Sequence, residues 1–383
     1  MHDHNVALFM IILGVAVIPF LARRLRIPSA ALEILFGVLL FNLVLRESQD
    51  WFRLLGEIGF IYLMFIAGME LDLRALRRSG KLHWYIMIPL LSFSVTPLLF
   101  MALGQSYFFG LAVAMISAGI VIPVLKEMDL LKTDLGKDVV GVALMGELLS
   151  ILVLTLIDAY HLHGFSWEAV LALVKLALLF SAAFIALKLL YLLAWWNPER
   201  VEKVMESEDP VEEGIRMVVT VAFTGGMIAS SIEAEPILGS FLAGAIFGHV
   251  FRSKERFEEK INALGFGFLI PFFFIGVGAQ LDLKLLFSPQ TLLFAAFLTL
   301  MVLVSNLWPL LFLRPLDLSL VEGGAMAVLL SAPLSMIVVA GTLGQKMGLI
   351  PPEASGALIL SALFASILYP TLFRPLRHLL DQK

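Results

Sequence analysis

Hydrophobic segments long enough to cross a membrane follow one another along almost the whole chain. Thirteen such segments, numbered in chain order, are separated by short polar connections. Most of them approach the length of helix that spans about 30 Å of hydrocarbon. They lie near residues 5–22, 29–45, 55–71, 83–103, 107–125, 137–159, 167–194, 214–232, 236–250, 262–280, 289–311, 321–344 and 354–373. The pattern predicts an all-α polytopic membrane protein.

Lys and Arg are concentrated in every second connection. The connections after odd-numbered segments, together with the C-terminal tail, hold 20 Lys and Arg, whereas those after even-numbered segments hold 4. Because positively charged loops stay on the cytoplasmic side, we expect a multi-pass protein of the cell (inner) membrane with its N-terminus outside and its C-terminus in the cytoplasm. A missed or invented segment in the middle would scramble this asymmetry, which supports thirteen spans.

Three stretches of the first half of the chain return in the second half, in the same order. They are 65–74 with 275–284, 116–119 with 330–333, and 141–145 with 356–360. Segments three and ten run in opposite directions in the predicted topology, so the repeat is inverted. It relates segments one to six to segments eight to thirteen, with segment seven as connector. Such a repeat with interrupted segments is typical of secondary transporters.

The repeat also predicts the domain organisation. The polar, Glu-rich stretch 197–213 is the natural boundary between the halves. We therefore expect a first half with the connector helix at 1–196, a cytoplasmic linker at 197–213 and a second half at 214–383.

Composition excludes several classes of protein. With 60% hydrophobic and 15% charged residues and a mean hydropathy of +0.94, the chain is too apolar for a soluble protein and requires a lipid bilayer. The net charge of -4 offers nucleic acid no basic platform. Without cysteine, the chain has no disulfides, thiolate metal sites or thiol nucleophiles. Segment one lacks a basic leader and a cleavage site, so we expect a retained helix.

Segments five and twelve contain the breaks that matter for an ion. A proline removes a backbone donor and frees a carbonyl, and unwound backbone at membrane depth is tolerated where it lines a cavity. A proline kink that only shapes helix packing is the alternative, but the symmetry favours two breaks that cross near the midplane. The candidate residues are Ser117, Ala118 and Gly119 with the helix-breaking Pro123 in segment five, and Ser331 and Ser335 with the helix-breaking Pro333 in segment twelve.

Glu147 is the strongest single candidate. It lies near the centre of segment six, too far from either end for its short side chain to reach water. A charge at that depth costs several kcal/mol unless it is partnered or protonated. A carboxylate that holds either a proton or a monovalent cation is what an exchanger needs. The alternative is a structural glutamate that bonds to a neighbouring serine or backbone group.

Other polar residues support weaker hypotheses. Glu33 and Glu57 are candidates for a cation funnel, although interfacial positions are the favoured explanation for both. His249 is a candidate pH sensor, and Asn306 either supplies an oxygen or holds helices together. No Ser/His pair, paired aspartate or zinc motif falls at membrane depth, so we expect a protein that is not an enzyme. We also expect no cofactor.

At this point the residues resemble a known family. The stretches 57–59, 63–72, 236–244 and 272–278 look like helices three, nine and ten of the monovalent cation:proton antiporter-2 family, the Kef-type and sodium/proton exchanger group. The resemblance implies the sodium/proton antiporter-like fold, with crossed helices five and twelve in a core domain and a separate dimerisation domain. It implies a homodimer, elevator-like alternating access, and Na+ or K+ and H+ as the ions.

Some positions differ from the family pattern. Gly146-Glu147 stands where the family usually has an Asp preceded by Asn, Asp or Gln. Segment ten has no basic residue after Lys260, which favours electroneutral exchange. The sequence ends without a cytoplasmic nucleotide-binding domain, so we do not expect gating of that kind.

Three functional hypotheses follow. The first is a proton-coupled monovalent cation antiporter in which Glu147 alternately binds a proton and a cation. The second is a sodium-driven carrier of an organic anion on the same fold. The third is a membrane sensor or assembly protein that has lost transport, and Gly146 is the feature that supports it.

Overall fold

A computed structural model gives the fold. It describes residues 2–25, 27–45, 50–71, 73–164, 213–231, 236–250, 255–286 and 288–380, with scattered positions between 167 and 196. Regular structure over these ranges is helical throughout. The α-helices are α1 His2–Leu25, α2 Ser29–Leu40, α3 Asp50–Met69, α4 Leu73–Arg78, α5 Leu82–Ala102, α6 Tyr107–Val113, α7 Ala118–Glu127, α8 Asp134–His163, α9 Glu213–Ser231, α10 Pro236–Val250, α11 Glu255–Leu264, α12 Ile270–Ala279, α13 Leu283–Leu286, α14 Pro289–Ser305, α15 Leu313–Leu316, α16 Leu320–Leu330, α17 Leu334–Lys346 and α18 Pro352–Leu380.

The predicted spans correspond to these helices. The described residues contain 9 helices that are long and apolar enough to cross a membrane, and a tenth candidate in which α16 and α17 are bent by 41°. Segments two and nine are shorter apolar helices, Ser29–Leu45 and Pro236–His249. Most of segment seven, and the linker up to residue 212, lie outside the described residues. The count of thirteen and the division at 197–213 therefore stay predictions.

The chain folds into two compact units that cut across the repeat halves. The first unit is Met1–Ile18, Leu43–Leu73 and Leu152–Gly278, and the second is Pro19–Asn42, Arg74–Ile151 and Ala279–Lys383. Segments four and five, segment six as far as Ile151, and the repeat partners eleven to thirteen belong to the second unit. Both broken segments and Glu147 therefore lie in one unit.

Glycine lets two helices of the first unit approach each other closely. A Cβ at Gly68 of α3 would collide with the Phe241 carbonyl of α10, and a Cβ at Gly244 of α10 would collide with the Phe65 carbonyl. The Ser240 hydroxyl of α10 also donates to the Ile61 carbonyl at 2.7 Å. Small residues and hydroxyl bonds of this kind hold membrane helices together where hydrophobicity gives no drive.

A buried charged cluster ties three elements at one end of the second unit. Lys81 Nζ lies 2.8 Å from Asp138 Oδ2 of α8 and donates to the Leu316 carbonyl of α15 at 2.8 Å. The Tyr85 hydroxyl donates to Asp138 Oδ1 at 2.6 Å. Asp138 is 3% exposed. Since each carboxylate oxygen has a donor, the buried charge is fully compensated.

Gly244→Ala tests the close packing of the first unit. Alanine in a helix is normally favoured over glycine by about 0.5–1 kcal/mol, but here the added methyl group has no space. We expect a loss of about 1–3 kcal/mol of stability, measured as a lower thermal unfolding temperature in detergent. The control is Gly267→Ala, whose Cβ would have no atom within 4 Å. An unchanged or raised unfolding temperature for Gly244→Ala would contradict the packing.

Candidate functional site

The two broken segments are interrupted at matching places. Segment five is non-helical between the end of α6 at Val113 and the start of α7 at Ala118, and segment twelve between Leu330 and Leu334. The sequence register paired Ser117 with Ser331. The starts of α7 and α17 instead pair Ser117 with Pro333 and Gly119 with Ser335, a register two residues different.

The two helix-breaking prolines take different positions. Pro333 lies within the interruption of segment twelve, as predicted, immediately before α17. Pro123 lies inside α7 and is exposed, so the prediction that it breaks segment five is wrong. The interruption precedes it because Ser117 caps α7, accepting the Gly119 N–H at 3.3 Å. Pro123 is the sixth residue of that helix and removes one backbone donor without ending it.

Hydroxyl groups join the two interruptions. Ser117 Oγ and Ser335 Oγ lie 2.7 Å apart, and these residues are 1% and 8% exposed. The side chains that cap or begin α7 and α17 therefore meet in the interior of the second unit. Ser331 takes no part, because its hydroxyl donates to the Ala327 carbonyl of its own helix at 2.7 Å.

Glu147 faces the N-terminus of α7. Its side chain, 1% exposed, accepts the Ser117 hydroxyl at 3.1 Å through Oε1 and the Ala118 N–H at 3.4 Å through Oε2. The N-terminus of a helix carries a partial positive charge that favours an anion. Donors to each oxygen and the helix dipole stabilise the ionised carboxylate against the cost of burial.

The hydroxyls form a directed chain. A hydroxyl has a single proton to donate. When Glu147 is ionised and accepts the Ser117 proton, the hydrogen bond between the serines is donated by Ser335. Glu147 thus senses segment five directly and segment twelve through Ser117. The Glu147 carboxylate is therefore connected by hydrogen bonds to both interruptions.

Two serines that the sequence argument did not select satisfy the unwound backbone. Ser305 Oγ of α14 lies 2.8 Å from the Val113 carbonyl oxygen and equally close to the Val302 carbonyl of its own helix, so its proton is shared between them. Ser150 Oγ of α8 accepts the Ile116 N–H at 3.1 Å. Backbone groups freed at helix ends need such partners. Ser150 follows Glu147 by three residues on the same helix, and that spacing was the available signal.

Close packing explains why position 146 is a glycine. A Cβ at this position would lie 2.7 Å from Ile116 Cβ, inside the interruption of segment five. A side chain at 146 would therefore require the Ile116 side chain to shift. The glycine that departs from the expected polar pair lets α8 pack closely against the interruption of segment five.

The remaining candidates do not join this cluster. Glu33, near the start of α2, is 3% exposed and lies in the second unit, and its place at the membrane interface or in a funnel stays a prediction. Glu57 is exposed and His249 half-buried, both in the first unit. Asn306 donates to the Val302 carbonyl at 2.9 Å, while its Oδ1 has no hydrogen-bond partner within the described part of the chain. The described residues contain no group of three His, Cys, Asp or Glu side chains that could hold a metal ion.

Comparison with known proteins gives consistent matches. The family model described as "Sodium/hydrogen exchanger, transmembrane" matches residues 9–378. The chain is 30% identical to the putative Na(+)/H(+) antiporter YjbQ of Bacillus subtilis over 97% of its own length and 63% of that protein. It is 23% identical to the probable Na(+)/H(+) antiporter 3 of Methanocaldococcus jannaschii, over 96% and 95%. These relatives are transporters, which confirms the expectation that the chain is not an enzyme.

A solved structure has the same fold. The sodium proton antiporter MjNhaP1 of Methanocaldococcus jannaschii, at pH 8, superposes with a TM-score of 0.66 at 18% identity, covering 98% of this chain and 96% of that one. The predicted all-α antiporter-like fold is thereby confirmed.

Ser150→Ala tests the support of the interruption. The change leaves the buried Ile116 N–H without an acceptor, at a cost of about 1–3 kcal/mol. We expect a lower thermal unfolding temperature than for Ser366→Ala. Ser366 is equally buried, but its hydroxyl donates only to the Leu363 carbonyl of its own helix. Equal effects of the two substitutions would contradict the role of Ser150.

Proposed function

The chain belongs to the sodium/hydrogen exchanger family, and on that premise we propose that it exchanges a monovalent cation for protons across a membrane. The observation that carries this proposal is the buried Glu147 carboxylate between the N-terminus of α7 and the Ser117 hydroxyl. It is the described carboxylate that the broken helices enclose with oxygen and N–H groups. The chain spans only 63% of its Bacillus relative. The proposed activity is therefore argued from the Glu147 site and not from that relative.

Exchange follows from competition for one carboxylate. A protonated Glu147 is neutral and offers a cation little attraction, whereas the ionised form attracts one strongly at low dielectric. A proton and a cation therefore bind in alternation. Because either ligand neutralises the same single charge, the exchange is one for one and electroneutral.

The oxygen atoms around Glu147 suit an alkali cation. The carboxylate and the hydroxyls of Ser117 and Ser335 are hard donors, the kind that hard cations prefer. We propose Na+ as the substrate, with K+ as the alternative, since the matched relatives are named for Na+. The finer assignment to the antiporter-2, Kef-type group is supported by the glycine motifs of segments three, nine and ten.

Movement of the site between the two sides uses the inverted repeat. We propose alternating access in a homodimer of the inner membrane, with the N-terminus outside and the C-terminus cytoplasmic. The separation of Glu147 and both interruptions into one compact unit supports carriage of the ion by that unit. Packing against Ile116 accounts for Gly146, so this glycine no longer favours a sensor that has lost transport.

Glu147→Gln tests the proposal in proteoliposomes with a preset pH gradient. Na+, K+ and Li+ are added in turn, and collapse of the gradient is followed with a pH-sensitive dye. We expect collapse by at least one cation for the wild type and a loss of about 100-fold or more in rate for the variant, because an amide neither ionises nor exchanges protons.

The matched control is Glu353→Gln, an exposed carboxylate in the first turn of α18, which should exchange at the wild-type rate. A folded wild type that collapses the gradient with none of the three cations contradicts the proposal. Na+-driven uptake of an organic anion without proton flux would instead favour the carrier hypothesis. Wild-type rates in Glu147→Gln would exclude Glu147 as the exchanging group.

A further inference from the structure

One face of α7 is exposed from the interruption to the end of the helix. Gly119, Pro123 and Lys126 are exposed, whereas Ala118 and Leu125 are buried. The exposed positions are four and three residues apart, so they share one side of the helix. This face begins beside the hydroxyls that contact Glu147 and ends where α7 leaves the predicted span.

Gly119 is not explained by backbone conformation. The positive φ angles found at glycines are at Gly80, Gly104, Gly164 and Gly348 within the described chain, so position 119 does not require a glycine. Where its conformational freedom is not used, glycine adds no stability to a helix relative to alanine. What it provides is therefore the space that a side chain would otherwise occupy.

That space adjoins the two hydroxyls. A Cβ on Gly119 would lie 3.6 Å from Ser117 Oγ and 4.0 Å from Ser335 Oγ, which is ordinary van der Waals contact. Ser117 Oγ is in turn 3.1 Å from Glu147 Oε1. The exposed face of α7 thus reaches the otherwise buried serine pair at the point where Gly119 lacks a side chain.

We propose that the space over Gly119 is the entrance through which a monovalent cation reaches Glu147, and that the missing side chain sets the size of cation admitted. The inference rests on the proposed exchange and deepens it. A cation that moves along this face exchanges its water for the Ser117 and Ser335 oxygens before it meets the carboxylate. A methyl group at position 119 would reduce the space beside the two hydroxyls without displacing the backbone.

Cysteine labelling tests the entrance independently of transport. The chain contains no cysteine, so Gly119→Cys carries the single thiol. The variant in proteoliposomes is treated with a small, cationic, membrane-impermeant methanethiosulfonate, applied from each side, and the adduct is measured by mass. We expect labelling from the side where α7 ends, slowed by Na+. Glu353→Cys, exposed, and Ala362→Cys, buried, give the upper and lower limits of reactivity.

The labelling results distinguish a lipid-facing, a buried and a water-accessible position for Gly119. Reaction with a lipid-soluble maleimide but not with the cationic reagent would mean that Gly119 faces lipid, and would overturn the entrance. Failure of both reagents in folded protein would mean a buried position and would also overturn it. Labelling that Na+ slows supports the entrance even if proteoliposomes show no exchange, so failure of the proposed function is distinguishable from failure of this inference.

Gly119→Ala tests the size limit. We expect the half-saturating concentration of K+, relative to that of Li+, to rise by about tenfold, the discrimination that one added carbon supplies in a close-packed site. The unfolding temperature should be unchanged or higher, because the methyl group fits and alanine favours the helix. Gly324→Ala, with no atom within 4 Å of its Cβ, should leave the ratio unchanged. An unchanged ratio in Gly119→Ala would overturn the size limit.

Discussion

The cost of placing a carboxylate inside a membrane protein shapes the second unit. An ionised glutamate at that depth needs donors, and an intact helix beside it has none, because its own carbonyls use every N–H group. Interrupting segment five solves this problem. The break at 114–117 turns the N-terminus of α7 toward Glu147 and frees the Ala118 N–H and Ser117 hydroxyl to bond the carboxylate.

The interruption creates new requirements that neighbouring helices satisfy. Ser305 binds the carbonyl left at the end of α6, and Ser150 binds the Ile116 N–H. Gly146 leaves room for the Ile116 side chain. The second interruption meets the first through the bond between Ser335 and Ser117. The Glu147 carboxylate is therefore linked by hydrogen bonds to both halves of the repeat, a connection that the proposed alternating access would use.

The sequence was sufficient for the large features and insufficient for the short contacts. Apolar segment length predicted the helices, and burial cost identified Glu147, because both depend on local composition. Pro123 was the wrong choice for the break in segment five. The start of α7 depends on the Ser117 cap and on Ser150, which is distant in the sequence. Ser305 and the steric cause of Gly146 depend on which helices lie side by side, and residue spacing within one segment does not contain that information.

Proton release on cation binding tests the central claim most directly. Purified protein in weakly buffered detergent solution is titrated with Na+ at a pH where Glu147 is still protonated, and both bound Na+ and released protons are measured. Competition at a single carboxylate predicts a proton released for each Na+ bound in the wild type, and neither binding nor release in Glu147→Gln. Na+ binding without proton release, or unchanged binding in the variant, would contradict it.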